Sequence, residues 1–213
     1  MSGPGAVVFD LDGTLVHSAP DLHAAANVML ATLGRRTLSL GEVTSFVGNG
    51  VPKLVERCVE ATGGPDPRAI DLFRTHYDAH PADLTRLYPG AEDMLNHLIG
   101  AGYILGICTN KPEAPTQTIL RTLGLGSHFG AVIGGDTLPI KKPDPAPLTE
   151  CFQRLGGAPL LYVGDSEIDA ATARAAHIPF ALFSAGYRRS PVDQIPHDHL
   201  FDDLAEIPGL LTR

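Results

Sequence analysis

Cysteine is scarce in this chain. Only Cys58, Cys108 and Cys151 occur in 213 residues, far apart, odd in number and without a C-x-x-C spacing, which argues against a disulfide framework or a zinc site and points to a reducing, cytoplasmic setting. Runs of Lys or Arg are missing as well. With a net charge of −8 and a pI near 5.5, no basic stripe can neutralise successive phosphates, so nucleic acid is not an expected partner. A small anionic compound remains compatible, because a metal ion and one or two basic side chains set the field inside a pocket. No apolar stretch is long enough to span a bilayer. The opening Met1-Ser2-Gly3-Pro4-Gly5 has no basic residue and the short apolar run behind it breaks at Asp10, so neither a membrane span nor a secretory leader is expected. Internal repeats and low-complexity segments are absent too.

Hydrophobic residues make up 44% of the chain and charged residues 19%, the usage of an ordinary globular protein. Ala6-Val7-Val8-Phe9 is short, β-branched and aromatic, as in a strand buried on both faces. Similar runs recur at Tyr103–Cys108, Ala131–Ile133, Leu160–Val163 and Phe180–Phe183, with helix-like stretches between them. This alternation predicts an α/β fold of Rossmann-like type, a parallel sheet with helices on both faces. Between the first two strands several helical patterns intervene: Leu22, Ala26, Met29 and Leu30 behind Ser18 and Asp21 as an N-terminal cap, then Val51, Leu54, Val55, Cys58 and Val59, then Ile70, Phe73 and Tyr77. Residues 17–87 therefore read as a helical bundle inserted after the first strand, and residues 1–16 and 88–213 as the core. Pro89-Gly90 suits the second crossing as a hinge, and Met94, Leu95, Leu98 and Ile99 return the chain to the sheet as a helix.

Four signals each follow a predicted strand, where open α/β sheets bind ligands. They are Asp10-Leu11-Asp12-Gly13-Thr14, Thr109-Asn110, Lys142-Pro143, and Gly164-Asp165-Ser166-Glu167-Ile168-Asp169. Taken singly each has a plain reading: Asp12-Gly13 a turn, Asp165 a helix cap, Asp169 a solvated acid, Lys142-Pro143 a loop. Their joint order resembles the haloacid dehalogenase superfamily, with its Asp-x-Asp-Gly-Thr, a Ser or Thr, a Lys and Gly-Asp-x-x-x-Asp, and the helical insert falls where that family carries its smaller cap. The resemblance implies a phosphatase in which Asp10 attacks phosphorus to give an aspartyl-phosphate. Asp12 would protonate the leaving oxygen and then activate water, Thr109 with nearby backbone N–H groups would hold the transferring oxygens, Lys142 would supply the remaining positive charge, and Gly13 and Thr14 would let the backbone turn around the phosphate. It also implies Mg2+ held by Asp10, the Asp12 carbonyl and Asp165, with Asp169 a ligand or just behind one.

Within the superfamily, Ser18-Ala19-Pro20-Asp21-Leu22, Val47-Gly48-Asn49-Gly50, Thr109-Asn110-Lys111-Pro112 and the run from Lys142 to Leu148 most resemble phosphoglycolate phosphatases. This implies 2-phosphoglycolate as substrate, with Asn110, Lys111, Gly48, Asn49 and Lys53 or Arg57 near it, and a monomer or homodimer as the working form. Pyrophosphatase, nucleotidase, sugar phosphatase and sugar phosphomutase activities share the core chemistry, and a noncatalytic phosphate-binding module is the reading from a different class. The retained second acid, Asp12, disfavours dehalogenases and phosphonate-cleaving enzymes. His76 and His80, four apart, and His197 and His199 are expected at the surface, and Cys108 as a buried small hydrophobe.

Overall fold

The computed structural model describes residues 4–211. Strand β1 (Gly5–Phe9) leads through the two-residue β2 (Val16–His17) into helices α1 (Ala19–Thr32), α2 (Leu40–Thr44), α3 (Val51–Glu60) and α4 (Ala69–Tyr77). The chain returns through β3 (Arg86–Leu87) and α5 (Ala91–Gly100). It then alternates through β4 (Ile104–Cys108), α6 (Glu113–Thr122), β5 (Phe129–Ile133), α7 (Ala146–Leu155), β6 (Ala158–Gly164), α8 (Glu167–Ala176) and β7 (Phe180–Phe183). Strand β8 (His199–Phe201) and the short α9 (Ile207–Leu210) end it.

Six strands form one sheet in the order β5-β4-β1-β6-β7-β8, with every neighbouring pair parallel. Alternate residues of β1 feed opposite faces. Val7 and Phe9 pack with Leu105, Ile107 and Val163 on one side, and Ala6 and Val8 with Cys108, Ile133 and Tyr162 on the other, which is why the strand reads as unbroken apolar sequence. The chain leaves β1 towards β4 on one flank and β6 on the other, so the carboxyl ends of these three strands open a crevice at the switch point.

The four inserted helices bury an apolar cluster of their own that includes Leu22, Met29, Val55, Phe73 and Tyr77. Antiparallel pairing of Val16 with Leu87 and His17 with Arg86 fastens the two crossings to each other. Among the described residues no helix is long and apolar enough to cross a membrane.

Several local expectations are corrected. Ser18 stands before α1 with helical backbone angles (φ −97°, ψ −6°) and makes no capping bond, since capping needs an extended residue whose oxygen turns back to the helix. Asp21 is not a cap either. Its buried carboxylate accepts from the Leu84 and Thr85 amides and the Thr85 hydroxyl, tying α1 to the returning segment. Ile99 faces solvent on α5. His199 opens the edge strand β8, too short for its alternation to register in the sequence.

Candidate active site

Hydrogen bonds of the sheet continue past the strand ends, which fixes where the first functional residues emerge. The Asp10 amide donates to the Val163 carbonyl (2.8 Å) and the Thr109 amide to the Ile133 carbonyl (2.9 Å). Beyond Asp10 the chain curls tightly. The Leu15 and Val16 amides both donate to the Leu11 carbonyl, and the Gly13 amide donates to the Val16 carbonyl. Gly13 holds φ +89°, and a Cβ there would stand 2.5 Å from Asp165 Oδ2, so both its angle and its neighbour require glycine.

Lys142 is the hub of the buried half of the site. Its Nζ lies 2.6 Å from Asp169 Oδ1, 2.8 Å from the Tyr162 hydroxyl and 3.0 Å from Asp10 Oδ1. The contact with Asp10 is one of charge only, because that oxygen is buried and receives no hydrogen bond. Asp169 has both oxygens occupied: Oδ1 by Lys142 and Tyr162, Oδ2 by the Ser166 amide and hydroxyl, and the Ser166 amide bond forms the capping box of α8 together with the Asp169 amide, which donates to Ser166 Oγ. Asp165 is held from two sides, by the Thr14 hydroxyl (2.8 Å) and the Tyr187 amide (2.6 Å). Thr14 is thus committed to a carboxylate, with its hydroxyl unavailable to a phosphate.

Burial sets the proton affinities. It pushes the Asp10 carboxyl up to about 6; Lys142 opposes this, while Asp169 and Asp12 reinforce it. Burial also carries Asp165 well above the carboxylate range, helped by the charges of Asp169 and Asp10. At Asp169 burial acts the same way but loses to the charge and hydrogen bond of Lys142 and the bonds from Ser166 and Tyr162, which hold the group below its ordinary value. Burial works against the Lys142 charge, and Asp10 with Asp169 overcomes it, so the amine is held above the usual lysine value.

Asp12 faces the helical insert. Ser18 Oγ donates to its Oδ1 (2.5 Å), and Lys111 Nζ sits 3.0 Å from both of its oxygens. The ring of Tyr77, from the end of α4, lies over the Lys111 ammonium at 4.9 Å. Asn110 stitches three segments together, with Nδ2 donating to the Gly48 and Lys142 carbonyls and Oδ1 accepting from the Lys142 amide. Between core and insert lies a cleft lined by Asp10, Asp12, Thr109, Asn110, Lys111 and Gly48, with Leu22, Val47, Val51 and Leu54 as its apolar roof.

Three residues expected near the substrate stand elsewhere. Lys53 is exposed and pairs with Glu56, because α3 buries the face carrying Val51, Leu54, Val55, Cys58 and Val59 and turns Lys53 outward. Asn49 directs Oδ1 to Arg57 and Arg189. Arg57 also donates to the Phe46 carbonyl and does not line the cleft.

Three contributors carry no signal that sequence reasoning used. Tyr162 was legible only as a strand residue, Tyr187 acts on Asp165 through its backbone amide, and Gly186 is needed for its lack of a side chain. A Cβ at Gly186 would stand 2.2 Å from the Asp165 Cβ and 2.4 Å from the Gly13 carbonyl oxygen. Gly186→Ala is expected to cost about 1–3 kcal/mol of stability as an overpacking substitution, read as a lowered urea midpoint with an unchanged slope.

Asp10, Asp165 and Asp169 each offer an oxygen, and these oxygens lie within 4.8 Å of one another. A donor set made only of carboxylate oxygens suits a hard divalent cation. Asp10 Oδ1, buried without a hydrogen bond, and Asp165, with one protein donor on each oxygen, are free to ligate; Asp169 is fully occupied.

A crevice at the switch point of a parallel sheet and under a helical roof is where such a fold places its ligand. Residues 4–177 match the family model for haloacid dehalogenase-like hydrolases, and the chain belongs to that family. It is 54% identical to a phosphoglycolate phosphatase of Cereibacter sphaeroides, over 99% of this chain and 98% of that protein. It is 42% identical to one of Rhodobacter capsulatus, over 97% and 96%. A crystal structure described as a predicted phosphoglycolate phosphatase, from Haemophilus somnus 129PT, superposes with a TM-score of 0.92 at 33% identity over the whole of both chains.

Proposed function

We propose that this protein is a magnesium-dependent phosphatase converting 2-phosphoglycolate to glycolate and phosphate, with residues 17–87 as a cap over a core of residues 1–16 and 88–213. The observation that carries the reading is Asp10: a carboxylate at the end of the central strand, beside Lys142, with a buried oxygen that no protein group hydrogen-bonds. The full-length likeness to proteins named phosphoglycolate phosphatase supports the choice of substrate. Three free, buried cysteines accord with a reducing cytoplasm.

In this reading Asp10 attacks phosphorus and the phosphoryl group passes to its carboxylate. Asp12, fixed by Ser18 and Lys111, gives a proton to the departing oxygen and takes one from the water that hydrolyses the aspartyl-phosphate. Thr109 and the backbone amides beside it hold the transferring oxygens, and Lys142 offsets their charge. Asp10, the Asp12 carbonyl and Asp165 would hold Mg2+, which when bound neutralises charge on the phosphoryl oxygens. Asp169 acts through Lys142, which it orients. The apolar roof keeps bulk water from the acyl phosphate.

The test is phosphate release from 2-phosphoglycolate, ribose 5-phosphate, pyrophosphate and a nucleoside monophosphate, with magnesium or with chelator. The expected result is a kcat/KM at least about tenfold higher for 2-phosphoglycolate than for any other substrate, lost on chelation. Equal values across the panel would remove the substrate assignment, and undiminished turnover in chelator would remove the metal.

A further inference from the structure

Behind the catalytic cleft lies a second, larger one. The inner cavity has a volume of about 30 Å³, room for roughly two water-sized groups. The outer cavity has about 450 Å³ and lies between the end of α4 and the start of α6. Val51 lines both. Beside it the boundary is a pair of side chains: Lys111 faces the inner cavity, Tyr77 lines the outer one, and the Tyr77 ring covers the Lys111 ammonium at 4.9 Å. Tyr77 is buried and stacks on Phe73 with centroids 5.5 Å apart, and its phenol interacts with the Lys111 ammonium.

We infer that Tyr77 is a specificity-determining residue: a partition that limits the length of the leaving group by closing the catalytic pocket off from the outer cleft. The outer cleft carries Arg74, Lys141, Asp78 and Asp136. Arg74 and Lys141 are exposed and make no ion pair among the described residues. Lys141 Nζ reaches towards Gly50, 3.7 Å from where a Cβ there would stand. Cations and acids together suit a polyhydroxylated chain, whose hydroxyls both donate and accept. A pocket opened into this cleft would therefore take sugar phosphates of five or six carbons.

The inference rests on the Asp10–Asp12 cleft being the catalytic pocket, and the experiment keeps the two apart. Parent, Tyr77→Phe, Tyr77→Leu and Tyr77→Ala are compared by kcat/KM on ribose 5-phosphate and on 2-phosphoglycolate, with a thermal melt for each. The ratio of the longer to the shorter substrate should rise by about tenfold or more in Tyr77→Ala, the scale of steric discrimination in a pocket. It should rise less in Tyr77→Leu and stay at the parental value in Tyr77→Phe, which keeps the ring. A purely structural tyrosine would lower both activities together and leave the ratio unmoved, and that result overturns the inference while the phosphatase reading stands. Should Tyr77→Ala fail to fold, an unmoved ratio in a folded Tyr77→Leu overturns it equally. A parent without phosphatase activity overturns both.

Discussion

Asp10→Asn should lower kcat for phosphate release from an aryl phosphate by at least about 10⁴-fold, the scale seen when a nucleophile is removed and only binding and charge stabilisation remain. The amide keeps the shape and cannot take the phosphoryl group. The same substitution should stabilise the metal-free protein at neutral pH. Asp10 binds its proton with a folded value of about 6 against an ordinary 3.8, chiefly because burial disfavours the charge, so the native state holds more protons than the unfolded chain between these limits. Its contribution is fully present below about pH 4 and is lost as pH rises through about 6. Asp165 is shifted in the same direction. In chelator, parental stability should therefore fall as pH rises across that window, and Asp10→Asn should flatten the fall, gaining about 2–3 kcal/mol at pH 7. Urea titrations at both ends of the window measure it. A variant that retains parental turnover would take the nucleophile's role from Asp10, and one no more stable than the parent would show that its buried charge is already compensated.

What could be read before folding was whatever leaves a periodic or compositional trace. The runs around Val7, Ile107 and Val163 announce a doubly buried sheet because both faces are apolar, and the acids follow those runs directly, so their convergence is a consequence of parallel strands sharing one carboxyl edge. The hub around Lys142 was half legible. The lysine and Asp169 were marked, while Tyr162, whose hydroxyl accepts from Lys142 and lies 2.8 Å from Asp169 Oδ1 and 3.0 Å from the Cys108 carbonyl, was hidden inside a strand where aromatics are ordinary. Gly186 and Tyr187 were illegible, since what matters there is an amide direction and an absent Cβ. Lys53 misled because proximity along the chain to Gly48 suggests proximity in space, whereas helix α3 rotates it away from the face it buries. Ser18 and Asp21 misled for a related reason: residues that suit a helix cap also suit any place that needs a short oxygen acceptor or hydroxyl, and here the Asp12 carboxylate and the Thr85 segment took them.

Lys142→Met should be the most destabilising of the site substitutions, by about 3–5 kcal/mol in chelator, because it strands Asp169 and Asp10 as buried charges without their cation. The lysine is 2% exposed in its side chain and Asp169 is not exposed at all, so solvent cannot take over. If the loss comes from the stranded carboxylates, neutralising the nearer one must restore stability: the double variant Lys142→Met with Asp169→Asn should recover most of it, a coupling of the kind expected between directly paired groups. Activity should not return, since the amine also faces Asp10, where the phosphoryl group is to be bound. pH separates charge from packing. Asp169 is held below its ordinary value, so its stabilisation is present above about pH 4 and disappears as pH falls through the lowered folded value; the parent and Lys142→Met should converge there if charge is the cause, and stay apart if altered packing is. Lys142→Arg discriminates further. It keeps the charge, but a planar guanidinium cannot place one nitrogen 2.6 Å from Asp169, 2.8 Å from Tyr162 and 3.0 Å from Asp10 at once, so it should recover part of the stability and little of the turnover.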